Sequence, residues 1–172
     1  MNRCIRQYHG HLSGVHCLAL HPTLDVLITG GRDSVARVWD IRTKNQIHVL
    51  SGHENTVGSI LANTTDPQII TGSHDQSIKT WDLAAGKCMT TLTHHKKSIR
   101  ALAAGRNDRS FLSGAADNVK KWGPGGDFIR NFPGHKSVIN SLSTNQEGVA
   151  VSCGDDGTME FWDYDTGYNF QR

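Results

Sequence analysis

Hydrophobic and polar positions alternate along this chain in short bursts, and clusters of turn residues cut the bursts at even intervals. Residues 15–20, 26–29, 35–39 and 46–50 are β-branched or alternating. They are separated by His21-Pro22-Thr23, by Gly30-Gly31-Arg32-Asp33 and by Thr43-Lys44-Asn45. A period of two bounded by Gly, Pro, Asn and Asp is the pattern of half-buried strands joined by tight turns. The same order follows at 57–62, 68–71, 78–81 and 88–92. No segment keeps a 3.6-residue apolar period over a helical length, so the sequence predicts an all-β chain of short antiparallel strands.

These strands belong to a repeat. Trp39, Trp81, Trp122 and Trp162 are spaced 42, 41 and 40 residues apart, and His11, His53, His95 and His135 are spaced 42, 42 and 40 apart. Gly10, Gly52 and Gly134 precede three of the histidines, and Asp40, Asp82 and Asp163 follow three of the tryptophans. Four residues after each histidine stands Val15, Val57, Ile99 or Ile139, and three further on Leu18, Ile60, Leu102 or Leu142. Four strands per unit of about 42 residues, with Gly-His and Trp-Asp marks, predict the blades of a β-propeller, four strands to a blade.

Gly10-His11, Trp39-Asp40 and their copies resemble WD-repeat (WD40) proteins over essentially the whole chain. Within that class the sequence resembles the pleiotropic regulator 1 family of splicing-associated WD-repeat proteins. Residues 6–11, 67–75, 95–98, 157–159 and 166–172 carry the likeness. The resemblance implies a seven-bladed ring, of which this chain holds four middle-to-late blades as units 9–50, 51–92, 93–132 and 133–172. Residues 4–8 are then expected to form the outer strand of a preceding blade. Open blade faces and the orphan strand's edge would favour association, with self-assembly into an eight-bladed ring as one outlet. The third unit departs from the pattern: Gly123 replaces Asp after Trp122, His94 replaces Gly before His95, and one residue is missing between Asp117 and Trp122. It is expected to be the least regular blade, with a re-registered third strand and a flexible Gly-Pro-Gly-Gly connection.

The 172 residues carry 18 Lys+Arg against 16 Asp+Glu, 37% hydrophobic and 20% charged residues, enough apolar content for packed cores rather than disorder. A formal charge of +2 gives no electrostatic drive toward bulk nucleic acid or membrane. No apolar run reaches the roughly 18–20 residues of a membrane helix, and residues 1–6 lack the apolar core of a signal peptide. Cys4, Cys17, Cys88 and Cys153 have neither zinc spacing nor the density of a disulfide scaffold, so a reducing compartment is expected, with Cys17 and Cys153 as buried small residues.

Each unit also repeats the ingredients of a hydrolase triad. They are His11, Thr29, Asp33 and Trp39; His53, Thr71, Asp75 and Trp81; His95, Ser113, Asp117 and Trp122; and His135, Ser152, Asp156 and Trp162. Catalysis needs one nucleophile beside an oxyanion hole and a cleft. Four equivalent copies instead predict a buried hydrogen-bonded tetrad that ties the loops to the strands, as the WD-repeat resemblance also implies. Asp75→Ala is therefore expected to lower the melting temperature. The sequence contains no phosphate loop, serine elbow or metal-ligand cluster, so no enzyme activity, cofactor or metal is expected.

Function is expected on the loops. His16, Gly58, Arg100 and Asn140, five residues after each Gly-His histidine, and Arg32, His74, Ala116 and Asp155, before each turn aspartate, are placed around the top of the ring. Arg32 and Arg100, joined by His16 and His74 below about pH 6.5, suit an acidic or phosphorylated segment. Lys96-Lys97 with Arg100, and Lys120-Lys121, are candidates for RNA phosphates, but no aromatic platform accompanies them, so they are expected to be solvated and RNA a secondary contact. Trp39-Asp40-Ile41-Arg42 matches the WDxR box of propellers that serve cullin–adaptor ubiquitin ligases, with Arg42 as the adaptor contact. The finer resemblance implies a non-enzymatic scaffold in the nucleus, part of the spliceosome-associated nineteen complex, holding splicing factors together.

Overall fold

In the computed structural model, described for residues 3–105 and 110–171, sixteen strands form four separate antiparallel sheets, and no helix occurs among the described residues. The first sheet is β1 (Val15–Leu20), β2 (Val26–Gly31), β3 (Ala36–Asp40) and β4 (Gln46–Leu50), paired in that order. The second is β5 (Val57–Ala62), β6 (Ile69–Ser73), β7 (Ile78–Asp82) and β8 (Lys87–Leu92), and the third is β9 (Ile99–Ala104), β10 (Phe111–Ala115), β11 (Val119–Trp122) and β12 (Phe128–Phe132). The fourth is β13 (Ile139–Thr144), β14 (Val149–Gly154), β15 (Met159–Asp163) and β16 (Asn169–Gln171). The expected unit 133–172 ends on Arg172, which lies outside the described residues. Each sheet is a meander, and the first strands stand side by side in the order β1, β5, β9, β13.

The core lies between the sheets. Ile28, Ala36, Val38 and Leu50 of the first sheet pack on Val57, Ile60, Ile69 and Trp81 of the second, and equivalent clusters fill the two later junctions. At each junction a glycine of the second strand leaves a slot for the next blade. A Cβ on Gly30 would come within 2.7 Å of Val57, on Gly72 within 2.7 Å of Ile99, and on Gly114 within 2.7 Å of Ile139. Close packing at these points admits no larger residue without movement of the neighbour.

One face has no such neighbour. Val57, Ile99 and Ile139 are 0–1% exposed, whereas Val15 at the same repeat position is 52% exposed. Ile60, Leu102 and Leu142 are 7–8% exposed, whereas Leu18 is 66% exposed.

Three expectations are corrected. Residues 4–8 form no strand, because a strand needs a hydrogen-bonding neighbour and none of the described strands pairs with them; instead Tyr8 packs its ring on Trp39, ring centroids 5.7 Å apart. The third blade is as regular as the others. Its third and fourth strands shift register at Lys121/Trp122, as the first and second blades do at Val38/Trp39 and Thr80/Trp81. The missing residue is absorbed in the turn, where Ala115 N–H bonds Asn118 O instead of spanning four residues as Gly31 N–H to Val35 O does. The Gly-Pro-Gly-Gly connection is a hydrogen-bonded turn, with Gly123 N–H on Asp127 O at 2.8 Å and Gly126 N–H on Gly123 O at 3.1 Å. Finally, Cys17 and Cys153 are half-buried rather than buried. Burial still pushes the Cys17 thiol up to about 12, against the opposing Gly30 backbone contact, so it is an inert packing group.

Leu102→Ala removes a junction side chain and is expected to cost about 3 kcal/mol in urea unfolding, whereas Leu18→Ala removes an exposed one and is expected to cost under about 1 kcal/mol. Equal costs would show that the first blade's face is not bare.

Candidate functional site

In every blade one hydroxyl of the second strand stands at the centre of a polar line. The indole N–H of Trp39, Trp81, Trp122 and Trp162 donates to Thr29, Thr71, Ser113 and Ser152 at 2.8, 2.9, 2.7 and 2.8 Å. The same oxygens lie 2.8, 2.7, 2.6 and 2.8 Å from Nε2 of His11, His53, His95 and His135. Nδ1 of each ring lies 2.9, 2.8, 2.7 and 3.1 Å from the carboxylate of Asp33, Asp75, Asp117 and Asp156. An indole only donates and an ionised carboxylate only accepts, which assigns the middle of the line. The hydroxyl donates to Nε2, and Nδ1–H donates to the carboxylate. Each aspartate also accepts the backbone N–H after its histidine, from Leu12 and Glu54 at 3.0 Å, Lys96 at 3.3 Å and Lys136 at 3.4 Å.

Electrostatics follow from this burial. The His53 and His95 pKa values are lowered by loss of solvent, with Asp75 and Asp117 opposing. Burial pushes the Asp75 pKa up, but the Ser77 hydroxyl, the N–H groups of Glu54 and Ser77, and His53 outweigh it and bring it down to about 2. Burial likewise works against Asp33 and Asp117, which are lowered by their histidines and backbone N–H groups. Asp156 is lowered chiefly by the Thr158 hydroxyl, 2.7 Å away. The hydroxyls of Thr71, Ser113 and Ser152 belong to residues with 0% exposure, so no substrate meets them.

The rim residues share one local device. Pairing of each first strand with its second skips His16, Gly58, Arg100 or Asn140, one residue per blade. An extra residue in an antiparallel pair bends the strand and re-aims its side chain. The turn residues are anchored beside these bulges: the N–H groups of Arg32, His74 and Asp155 donate to Gly14, Thr56 and Val138 carbonyls at 2.8, 2.9 and 2.9 Å. His16, Arg32, Arg100, Asn140 and Asp155 are exposed, and Gly58, His74 and Ala116 are half-buried. Arg100 donates to Asn140 Oδ1 at 3.3 Å, and Asn140 donates to Asp155 Oδ1 at 2.5 Å. Arg32 and His16 make no side-chain hydrogen bond or ion pair among the described residues.

At the opposite strand ends, Asp40 caps its turn by accepting the N–H groups of Arg42 at 2.7 Å and Thr43 at 3.2 Å. The exposed Arg42 borders a cavity with Leu24, Asp25 and Ile47.

Lys120 and Lys121 are neither solvated nor free for RNA: each is 7% exposed. Lys120 donates to Asn131 at 2.9 Å and pairs with Asp117 at 3.6 Å. Lys121 reaches across to the fourth blade, donating to Tyr164 O and Asp165 at 3.0 Å each, with its ammonium 4.2 Å from the Tyr164 ring centre. Lys96 and Lys97 are exposed. The Lys121 clamp was not foreseen, although its signal is present: Lys121 holds the repeat position of Val38 and Thr80, which faces the next blade. The slot glycines Gly30, Gly72 and Gly114 recur directly after Thr29, Thr71 and Ser113, and Gly30, expected in a turn, lies within β2.

Four meandering sheets stacked by their first strands, each locked by the Trp–hydroxyl–His–Asp line, define a WD-repeat propeller arc. The family profile "WD domain, G-beta repeat" matches residues 2–40, 44–82, 86–122 and 126–163, and the chain belongs to this WD40 family. It is similar to pleiotropic regulator 1 of Homo sapiens, 56% identical over 57 residues, which are 33% of this chain and 11% of that protein. Protein pleiotropic regulator PRL2 of Arabidopsis thaliana is 57% identical over 59 residues, 33% of this chain and 12% of that protein. Pre-mRNA-splicing factor PRP46 of Saccharomyces cerevisiae is 42% identical over 57 residues, 32% of this chain and 13% of that protein. The match thus spans about a tenth of these relatives' length.

Acid is expected to unfold the chain in two stages. His53 and His95 have folded values below the unfolded one of about 6.5, so their neutral forms give full stability above it and lose it as pH falls below. Asp75 contributes stability above its unfolded value of about 3.9 that is lost as pH falls through its folded value of about 2. Urea midpoints from pH 8 to about 2 check this, and Asp75→Asn should lower the neutral midpoint and flatten the second stage.

Proposed function

We propose that this protein is a non-enzymatic scaffold of the pre-mRNA splicing machinery, nuclear and part of the spliceosome-associated nineteen complex. The observation that carries this is the likeness to relatives that bear the names pleiotropic regulator and pre-mRNA-splicing factor, on a chain of the WD40 family. The geometry agrees, because the hydroxyls of the repeated Trp–hydroxyl–His–Asp lines are enclosed in the blades. The work is then left to exposed rims on a rigid frame, which suits multivalent docking with little rearrangement of the backbone.

The four blades are an arc of a seven-bladed ring in this reading. Support comes from Val15 and Leu18, bare at positions that the later blades bury. Added to a chain that carries further blades, Leu18→Ala should become as costly as Leu102→Ala; an unchanged cost would contradict the ring.

Native purification of the tagged protein from nuclear extract, followed by mass spectrometry, tests the scaffold role. Splicing factors are expected, equally with wild type and with Arg42→Ala. Recovery of a cullin adaptor that Arg42→Ala abolishes, without splicing factors, would replace this reading with the ubiquitin-ligase one.

A further inference from the structure

We propose that the cavity beside Pro124, between the second and third blades, is a docking site for a partner protein segment that inserts one leucine-sized apolar side chain next to a cation. This goes beyond the scaffold reading and does not depend on which complex the chain enters.

Two places after its tryptophan, a blade can close the junction with the blade before it. Leu83 is 8% exposed and packs in one cluster with Ile28 and Val38 of the first blade. Tyr164 is 3% exposed and packs with the third blade, its hydroxyl 2.7 Å from that of Ser110 and its ring under the Lys121 ammonium. In the third blade the same place belongs to Pro124, which is exposed and stands outside the cluster that joins the second and third blades. Its turn is also shorter. Pairing of Trp122 with Phe128 leaves five residues, 123–127, where Trp81 with Cys88 and Trp162 with Asn169 leave six. Gly123 opens this turn, so it lacks the carboxylate with which Asp82 and Asp163 each accept two N–H groups of theirs.

A cavity of about 230 Å3 lies at this junction, between Pro67, Thr80, Met89 and Thr90 of the second blade and Pro124 and Gly125 of the third. Thr80 holds the repeat position of Val38, in the Leu83 cluster, and of Lys121, over the Tyr164 ring. The cavity is therefore the seat of the side chain that this blade lacks. Its walls are fixed in advance: the Thr80 and Thr90 hydroxyls lie 2.6 Å apart, and Asn63 Nδ2 donates to Pro67 O at 3.3 Å.

Size and charge define the occupant. Metabolite and cofactor pockets run from about 300 to 1,000 Å3, so this one suits a single anchor side chain of a larger partner. Asp66 is the one charged residue of the lining, exposed and in no ion pair among the described residues. A free carboxylate beside apolar walls favours a lysine or arginine next to the inserted side chain and repels a nucleic-acid backbone.

Methyl NMR of labelled methionine in the 172-residue chain reads the site, because Met89 lines the cavity while Met159 lies in β15 and serves as control. The probe is the capped peptide Gly-Ser-Gly-Leu-Lys-Gly-Ser, compared with its Leu-to-Ala and Lys-to-Glu forms. A saturable shift of Met89 without Met159 is expected, with affinity about tenfold or more weaker for the alanine form and weaker for the glutamate form. Pro124→Leu supplies the missing side chain from within, and is expected to raise the melting temperature and abolish the shift. Asp66→Asn leaves the walls intact and should remove the preference for lysine over glutamate; if Pro124→Leu unfolds the chain, this variant and the peptide series decide. Shifts that do not saturate, that are equal for leucine and alanine, or that stay the same in the variants would overturn the site. A Met89 signal that moves with protein concentration in the absence of peptide would make a second copy of this chain the occupant and overturn the partner segment. Loss of the site would leave co-purification with splicing factors untouched, so the two readings fail separately.

Discussion

The structure depends on one constraint: a four-stranded sheet of about forty residues cannot bury its own apolar face and must borrow a neighbour's. Val57, Ile99 and Ile139 press into the space left by Gly30, Gly72 and Gly114, and every hydrophobic cluster spans two blades. Within a blade the contacts are mostly backbone ladders and one polar line. Between blades lies the dry surface whose removal from water, at about 25 cal/mol per Å2 of apolar area, drives assembly. Packing direction is built in, because a knob on the first strand always meets a slot on the second strand of the blade before.

The polar line solves a different problem. The chain enters each blade through a loop and turns back between the second and third strands, and both segments carry backbone groups that packing leaves without partners. An aspartate that accepts from the histidine and from the next backbone N–H ties the two segments together, and the hydroxyl carries the tie to the tryptophan. Each bond contributes only about 0.5–1.5 kcal/mol net, but an orphaned member inside the blade costs about 1–3 kcal/mol, so the line is kept whole or not at all. With its chemistry enclosed, the blade meets other molecules through what the bulges and turns hold outside.

The repeat was legible because its residues are single-purpose. Trp39, Trp81, Trp122 and Trp162 and their histidines keep register across four units, which gives strand order and tetrad membership from spacing alone. What escaped depends on neighbours that spacing does not show. Residues 4–8 look like an outer strand, yet a strand exists only with a partner. Lys120-Lys121 looks like a basic surface, but Lys121 sits on the face turned to the next blade, where Tyr164 and Asp165 receive its ammonium. The third blade looks irregular by sequence, and its turn takes up the deletion without disturbing the ladders. The turn after Trp122 was readable as a departure, whereas the cavity it leaves beside Thr80 required the geometry.

Native-state hydrogen exchange tests the borrowed-neighbour account most directly, since it reads the local stability of each strand in one experiment. If burial between blades sets stability, amides of β5 and β9 exchange only on global unfolding, while those of β1, whose outer face is bare, exchange measurably faster despite the same ladder and the same tetrad. Equal protection of β1, β5 and β9 would contradict the account and place the stability within each blade instead.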